Sequence, residues 1–245
     1  MKISIITVTY NSAKTIADCI ASVNSQSYPF VEHIIVDGAS TDNTIEIIKT
    51  LPNRISKIIS EPDKGIYDAM NKGISFATGD VVGILNSDDK FFSPQSIEKI
   101  VRCFENEKVD AVYGNLIFTD ETNKIIRTWN SNPFESGLFA KSWCPAHPTF
   151  YCKRVLYEKL GMYKTDYQIA ADVELMIRFL EINKINSCFI NEVLVNMRVG
   201  GVSNQGIKSI ITITREMKRA FNENGLPFNL SKYLFHKGLK IRELL

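Results

Sequence analysis

Glu61-Pro62-Asp63-Lys64-Gly65-Ile66-Tyr67-Asp68-Ala69-Met70-Asn71-Lys72-Gly73, resumed at Gly79-Asp80-Val81-Val82-Gly83-Ile84-Leu85-Asn86-Ser87-Asp88-Asp89, gives the readiest entry to this chain. It has three parts: a turn rich in Pro, Asp and Gly, a helix phased by Ile66, Met70, Ile74 and Ala77, and an apolar run over residues 81–85 short enough for a buried strand. Carboxylates placed where a buried parallel strand ends face the crevice at the sheet's carboxyl edge, where open α/β sheets bind ligands. Asp88 and Asp89 at such a rim suit a hard divalent cation carrying a phosphate. A polar turn with one Asp capping the next helix is the competing reading, although Ser93-Pro94 already offers a cap and a first-turn proline.

Outward from this stretch the chain alternates strands with amphipathic helices, the pattern of a mostly parallel sheet flanked by helices on both faces. Residues 3–9 read as a strand ending in Thr7-Val8-Thr9-Tyr10-Asn11, followed by a helix with Ile16, Cys19, Ile20 and Val23 on one face. A second strand, 33–36, ends in Asp37-Gly38-Ala39-Ser40-Thr41-Asp42, and a third, 55–59, leads into the turn quoted above. Three successive strand ends thus bring polar residues to one edge, the layout of a nucleotide crevice. Further on, residues 111–118 and 124–129 flank a turn at Asp120-Glu121-Thr122-Asn123 and read as a hairpin. The loop over 130–148 is long enough to be functional. A later helix turns Val173, Met176, Ile177 and Leu180 inward and carries Asp172 in its first turn, where the macrodipole favours a negative charge.

Composition narrows the class. A 245-residue chain that is 44% hydrophobic and 23% charged is a soluble globular protein with room for one large domain and an appendage. The net charge of +2 is too small, and the basic residues too little interleaved with aromatics, for a nucleic-acid partner. Cys19, Cys103, Cys144, Cys152 and Cys188 are odd in number and widely spaced without a Cys-x-x-Cys pair, which suits an intracellular protein and no zinc site. Met1-Lys2 passes straight into strand sequence, and no apolar stretch nears the roughly 20 residues of a transmembrane helix, so a cytoplasmic location is expected.

The segments together resemble glycosyltransferase family 2 with the GT-A fold. Ser4-Ile5-Ile6-Thr7-Val8-Thr9-Tyr10-Asn11, Val36-Asp37-Gly38-Ala39-Ser40-Thr41-Asp42, the helix start Asp63-Lys64-Gly65-Ile66-Tyr67-Asp68-Ala69-Met70-Asn71 and the strand end Asn86-Ser87-Asp88-Asp89 match its motifs in order. The likeness runs from residue 1 to about 203 and is nearest to bacterial enzymes of colanic-acid and other surface-polysaccharide assembly.

The resemblance implies a site. Thr9 and Tyr10 would line the nucleotide pocket, Asp37 would accept a hydrogen bond from the base, as a uracil N–H allows, and Lys64 would meet phosphate or sugar hydroxyls. The family's metal motif usually begins with Asp, where this chain has Asn86, so Asn86 is expected to serve the donor through its amide oxygen. Asp89 is expected to bind Mn²⁺ or Mg²⁺, and Asp88 the sugar or the cation. Where the family commonly has Glu-Asp, this chain has Ala171-Asp172, leaving Asp172 as the general base of an inverting transfer, which needs only one. Arg198-Val199-Gly200-Gly201-Val202-Ser203 resembles the loop that closes over the donor phosphates, with Arg198 offering charge-assisted bonds. Trp143 and His147 are the acceptor-side candidates, and Asp42, Asp68 and Asn71 stay open between ligand contact and helix capping or face roles. Lacking the Gln-x-x-Arg-Trp motif and membrane spans of the family's processive synthases, the chain is expected to add a single sugar.

Residues 206–245 lie beyond the motifs and read as an extension to a catalytic domain over 1–205. They carry eight Lys and Arg against three Glu, a net +5, and place Ile207, Ile210, Ile211, Thr214, Met217 and Phe221 on one helical face. A basic amphipathic hairpin of this kind suits an anionic membrane presenting a lipid-linked glycan acceptor, and equally a face packed on the catalytic domain or on the second subunit of a homodimer. Two other classes compete with a sugar transferase. An inactive nucleotide-sugar or glycan binding protein has only Asn86 in its favour, and a dinucleotide-dependent oxidoreductase lacks the expected Gly-x-Gly-x-x-Gly after the first strand.

Overall fold

Seven consecutive buried residues, Ile3–Thr9, form β1, as a strand paired on both edges and covered on both faces requires. The computed structural model describes residues 1–200 and 207–242. Parallel neighbours flank β1: β2 (Val31–Asp37) places Asp37 opposite Thr9, and β4 (Val81–Ile84) places Ile84 opposite Ile6. β3 (Ile55–Ser60) extends the parallel ladder with Ser60 opposite Asp37.

Alternation along β2 assigns the helices to faces. Ile35 packs with Ile16 and Ile20 of α1 (Ile16–Asn24) and Ile48 of α2 (Thr44–Thr50). Ile34 and Val36 point the other way, into the cluster holding Met70 and Ile74 of α3 (Ile66–Phe76). Gly73 makes this second packing close, because a Cβ there would stand 2.3 Å from Ile6 Cγ2.

Past β4 the sheet becomes mixed. β5 (Lys90–Phe91) and α4 (Ser96–Glu107) precede the hairpin of β6 (Ala111–Thr119) and β7 (Ile125–Trp129), which agrees with the sequence pattern. β8 (Tyr151–Lys153) runs antiparallel between β4 and β6, while β9 (Ser187–Arg198) lies parallel to β6. The order is β3-β2-β1-β4-β8-β6-β9-β5, with β7 also paired to β6. Sequence reasoning gave none of β5, β8 and β9: the first two are very short, and register breaks and exposed residues at 191 and 192 interrupt the alternation of β9. The helix expected to start at Ser93-Pro94 runs from Ser96, and Ser93 Oγ accepts the Gln95 N–H at 3.2 Å in the turn that leads into it. Cys103 of α4 is joined to Cys188 of β9 in a disulfide, a pairing that their separation of 85 residues concealed.

The C-terminal helices α7 (Ile207–Glu223) and α8 (Leu230–Arg242) share this core. Met217, Ala220, Phe221 and Tyr233 lie in the same cluster as Met70, Ile74, Leu175 and Ile177. The buried stripe of α7 meets the expected one in part: Met217 and Phe221 are buried, Ser209, Glu216 and Ala220 are buried with them, and Ile210 and Ile211 are 44% and 55% exposed. The Ile207 side chain lies outside the described ones.

Glu32 ties the first strands together. Its carboxylate accepts from Ser4 Oγ at 2.5 Å, Thr78 N–H at 2.9 Å, Thr78 Oγ1 at 2.7 Å and Lys2 Nζ at 3.0 Å. Burial pushes its pKa up, but these donors outweigh burial and hold it at about 2, below the ordinary 4.5. Their contribution is therefore complete above the unfolded value and is lost as pH falls towards the folded one. Glu32→Gln is expected to lower stability by about 1–3 kcal/mol at neutral pH in urea unfolding. The difference from wild type should shrink below pH 4.5 and vanish near pH 2.

Candidate active site

The register of the parallel strands assembles one wall. Thr9, Asp37 and Ser60 end three adjacent strands side by side, and the Gly38 N–H closes the β1–β2 edge on Thr9 O at 2.9 Å. Asp37 is fully buried, with Oδ2 accepting from Ser40 N–H at 3.0 Å and Ser60 Oγ at 2.7 Å and Oδ1 accepting from Ser40 Oγ. Thr9 Oγ1 is buried with no partner. Tyr10 is 61% exposed at the rim. A Cβ on Gly38 would stand 2.5 Å from Asp63 Oδ2 and 3.5 Å from the Tyr10 ring, so this glycine lets the turn over 61–65 approach the strand ends. Lys64 is exposed on that turn, its backbone N–H donating to Asp68 Oδ2 at 3.0 Å. Asp42 caps α2 through Thr44 N–H at 3.0 Å and also accepts the Ala13 N–H at 3.2 Å.

A second wall follows β4. The Leu85 N–H donates to Ile6 O at 2.9 Å and the Ser87 N–H to Val8 O at 3.3 Å, carrying the chain along β1 to its end. The Asp89 N–H then turns back onto Asn86 O at 3.0 Å. Asp89 is 1% exposed; its Oδ2 accepts from Asn86 Nδ2 at 3.4 Å, while Asp89 Oδ1 and Asn86 Oδ1 are buried without partners. Burial and the neighbouring Asp88 charge push the Asp89 carboxyl well above the usual range, against the Asn86 amide and the Arg198 backbone N–H. Asp88 is also raised by burial, with its own backbone amide and the Arg198 charge opposing. Arg198 ends β9 and pairs with Asp18 of α1 at 3.4 Å. These oxygens suit a hard cation such as Mg²⁺ or Mn²⁺: two carboxylates raised by desolvation gain most from a positive charge, and the unpartnered oxygens are the ligand type such a cation takes. Gly201, Val202 and Ser203 of the expected closing loop lie outside the described residues.

The third group surrounds α6 (Ala171–Met176), whose axis continues as a π-helical turn, Ile177–Ile182. Asp172 in the first turn is half-buried and its Oδ1 has no partner. Burial raises its carboxyl, His147 opposes this, and Glu216 adds to it. His147 is itself pushed down by burial, against the pull of Asp172, and its Nε2 lies 3.3 Å from Tyr163 Oη. The Tyr163 ring stacks on Tyr67 with centroids 5.9 Å apart. Trp143 is buried against Tyr113, Phe134 and Phe139, with Nε1 unpartnered. Asn71 exchanges hydrogen bonds with the Tyr163 backbone at 2.8 and 3.0 Å, and Asp68 holds the Lys64 N–H, so both are occupied in joining α3 to its surroundings.

Among the described residues, eight buried side-chain atoms lack a hydrogen-bond partner, and five belong to Thr9, Asn86, Asp89, Trp143 and Asp172. Buried polar atoms are ordinarily paired, and these five are not. Sequence reasoning missed Tyr67, Tyr163 and Glu216 around Asp172. Tyr67 sits inside the motif already quoted, whereas the other two show no local pattern and are recognisable only by contact.

Comparison with known proteins bears on the family and the fold. Residues 4–166 match the family described as "Glycosyl transferase family 2". A PGL/p-HBAD biosynthesis glycosyltransferase of Mycobacterium bovis is 32% identical over 196 residues, covering 78% of this chain and 71% of the relative. A Nostoc sp. protein named as a glycosyltransferase is 30% identical over 232 residues, covering 89% and 71%. The structure of S. aureus TarS 1-349 in complex with UDP-GlcNAc superposes with a TM-score of 0.68 at 16% identity, covering 90% of this chain and 66% of that one. The mannosyltransferase PcManGT from Pyrobaculum calidifontis, in complex with GDP-Man and Mn²⁺, gives 0.66 at 22% identity, covering 91% and 63%. At these identities the structural likeness is one of fold. Sequence match and fold together show that the chain belongs to glycosyl transferase family 2 and has its GT-A architecture.

Proposed function

We propose that this protein is an inverting, metal-dependent, non-processive glycosyltransferase. It moves one sugar from a nucleotide-diphosphate sugar, UDP-linked in the first instance, to a hydroxyl of a glycan or lipid-linked glycan in bacterial surface-polysaccharide assembly. The observation that carries this reading is the set of unpartnered buried oxygens on Thr9, Asn86 and Asp89 at the sheet's edge, accompanied by that of Asp172 on α6.

Thr9, Tyr10 and Asp37 would receive the nucleoside, Asp37 using lone pairs beyond those engaged by Ser40 and Ser60. Lys64 and Arg198 would bind the diphosphate, Asn86 and Asp88 the sugar, and Asp89 with Asp88 the cation. A bound Mg²⁺ or Mn²⁺ supplies positive charge to a departing diphosphate. In the transfer, the acceptor oxygen bonds to the anomeric carbon and its proton passes to the Asp172 carboxylate. The bond from that carbon to the diphosphate oxygen breaks, and its electron pair leaves with the nucleoside diphosphate. Neutral His147 and Trp143 Nε1 would orient the acceptor beside Asp172.

Asp172→Asn is expected to keep metal-dependent donor binding in calorimetry while transfer falls by about 10²–10⁴. Donor binding in the wild type with no release of nucleoside diphosphate in any assay would instead support a binding protein. Asp172 must be ionised to take the proton, and its pKa is raised. The rate should therefore rise with pH through an acid limb lying above the range of an ordinary carboxylate, measurable as a kcat profile. Asp89→Asn is expected to abolish the effect of Mn²⁺ on UDP binding; an undiminished effect would remove Asp89 from the cation site.

No helix among the described residues is long and apolar enough to cross a membrane. Leu230, Leu234, Phe235 and Leu239 of α8 are exposed, Phe235 by 65%, on a helix that also carries Lys232 and Lys237. This face supports peripheral contact with an anionic bilayer. Because α7 and α8 share the core, point variants test this better than truncation. Phe235→Ser with Leu234→Ser should lose flotation with phosphatidylglycerol vesicles, and equal flotation of variant and wild type would dismiss the contact.

A further inference from the structure

The turn that delivers Asp172 is held by side chains from elsewhere in the fold. Four consecutive backbone amides, at residues 168–171, each donate to a side chain of another element. Glu216 Oε1 accepts the Gln168 N–H at 2.6 Å, and Oε2 accepts those of Ile169 at 3.0 Å and Ala170 at 2.8 Å. Tyr67 Oη of α3 accepts the Ala171 N–H at 3.3 Å and donates to Ile169 O. Ala170 stands at the cap position of α6 and has no side chain able to cap it. Glu216 is only 8% exposed, set in the middle of α7 on the stripe that turns Ile210 and Ile211 outward.

We propose that Glu216 is a positioning residue for Asp172, so that α7, outside the residues matched to the family, belongs to the catalytic apparatus. The inference rests on the reading of Asp172 as the base. Three charge-assisted bonds to one carboxylate set the path of the three residues preceding α6. A base displaced by about 1 Å loses much of its effect. Electrostatics act in the same place. The groups bearing on Asp172 are His147, which favours its ionised form, Glu216, which disfavours it, and the Tyr67 and Tyr163 hydroxyls, whose ionisation Asp172 opposes in turn.

The test compares Glu216→Gln, which keeps the volume but places an amide N–H₂ against backbone donors, with Glu223→Gln. Glu223 lies about two turns further along α7; it pairs with Lys164 at 2.7 Å and Arg219 at 2.6 Å and accepts from Tyr167 Oη at 3.0 Å, and it holds none of the four amides at residues 168–171. Three readouts are taken on the full chain: release of nucleoside diphosphate from the sugar nucleotide that the wild type uses, hydrogen exchange of the peptide over 166–176, and UDP binding with Mn²⁺. Glu216→Gln is expected to lower kcat at least about tenfold with donor KM and UDP affinity unchanged. Its 166–176 peptide should exchange faster, and the acid limb of kcat should move to lower pH because a negative charge near Asp172 is gone. Glu223→Gln should leave kcat and the limb in place. A Glu216→Gln kcat equal to wild type overturns the proposal, as does a loss that Glu223→Gln reproduces with no movement of the limb. Should Glu216→Gln fail to fold, Glu216→Asp, which keeps the charge but withdraws the oxygens, must still lower kcat; full activity there overturns the proposal too. Undiminished transfer by Asp172→Asn would instead remove the base reading itself, an outcome separate from any result at Glu216.

Discussion

Strand β1 has parallel partners on both edges and no exposed residue, and this confinement governs the molecule. A strand so placed can neither slip in register nor bend towards solvent, because a one-residue shift would exchange the residues facing α1 with those facing α3. Its neighbours therefore end where it ends, with Asp37 opposite Thr9 and the turn after β4 bonded back to Val8. Polar groups delivered to so dry an edge cannot all be satisfied by one another. Asp37 is, through Ser40 and Ser60, whereas Thr9, Asn86 and Asp89 keep unpaired oxygens. The desolvation that stabilises the apolar strand is the same desolvation that leaves these atoms in need of a ligand.

Helix α3 connects this edge to the base. Its N-terminus follows the turn that Gly38 allows close to the strand ends, and Gly73 presses its body against β1. Tyr67 and Asn71, on its outer face, hold the backbone at residues 163, 169 and 171. Beyond them lies an ionic group: fully buried Glu174 with Arg178 at 3.0 Å and Lys164 at 2.9 Å, and Glu223 of α7 sharing that lysine. Burying a carboxylate is costly unless its partners come with it, and here Asn224 adds a third partner at 3.3 Å. Such a group gives the buried carboxylate of α6 one specific set of partners more than it adds stability.

How much was legible depended on range. The parallel half could be read because burial and strand period write themselves into local sequence, as at residues 3–9 and 81–85. Asp88, Asp89 and Asp172 were legible as acids at element ends. The mixed half was not: β8 is three residues long, β9 breaks its alternation twice, and Cys103 of α4 meets Cys188 of β9 from 85 residues away. The face of α7 was legible in part. Met217 and Phe221 are buried on the domain, whereas the burial of Glu216, which accepts three backbone amides, and the exposure of Ile210 and Ile211 depend on distant residues.

The sequence by itself determined the family, the parallel α/β order of the first half and the acids at its strand ends, since these depend on periodicity and on motifs of adjacent residues. Only the tertiary structure decided which polar groups are spent on the protein and which stay free. Asp42, Asp68 and Asn71 resemble site residues in sequence yet are occupied by α2, Lys64 and Tyr163, while Asp89 and Asp172 keep unpartnered oxygens. The physical reason is that hydrogen-bond satisfaction is a property of neighbours in space: the donors that engage or spare a carboxylate come from distant segments, as Glu216 does for residues 168–170.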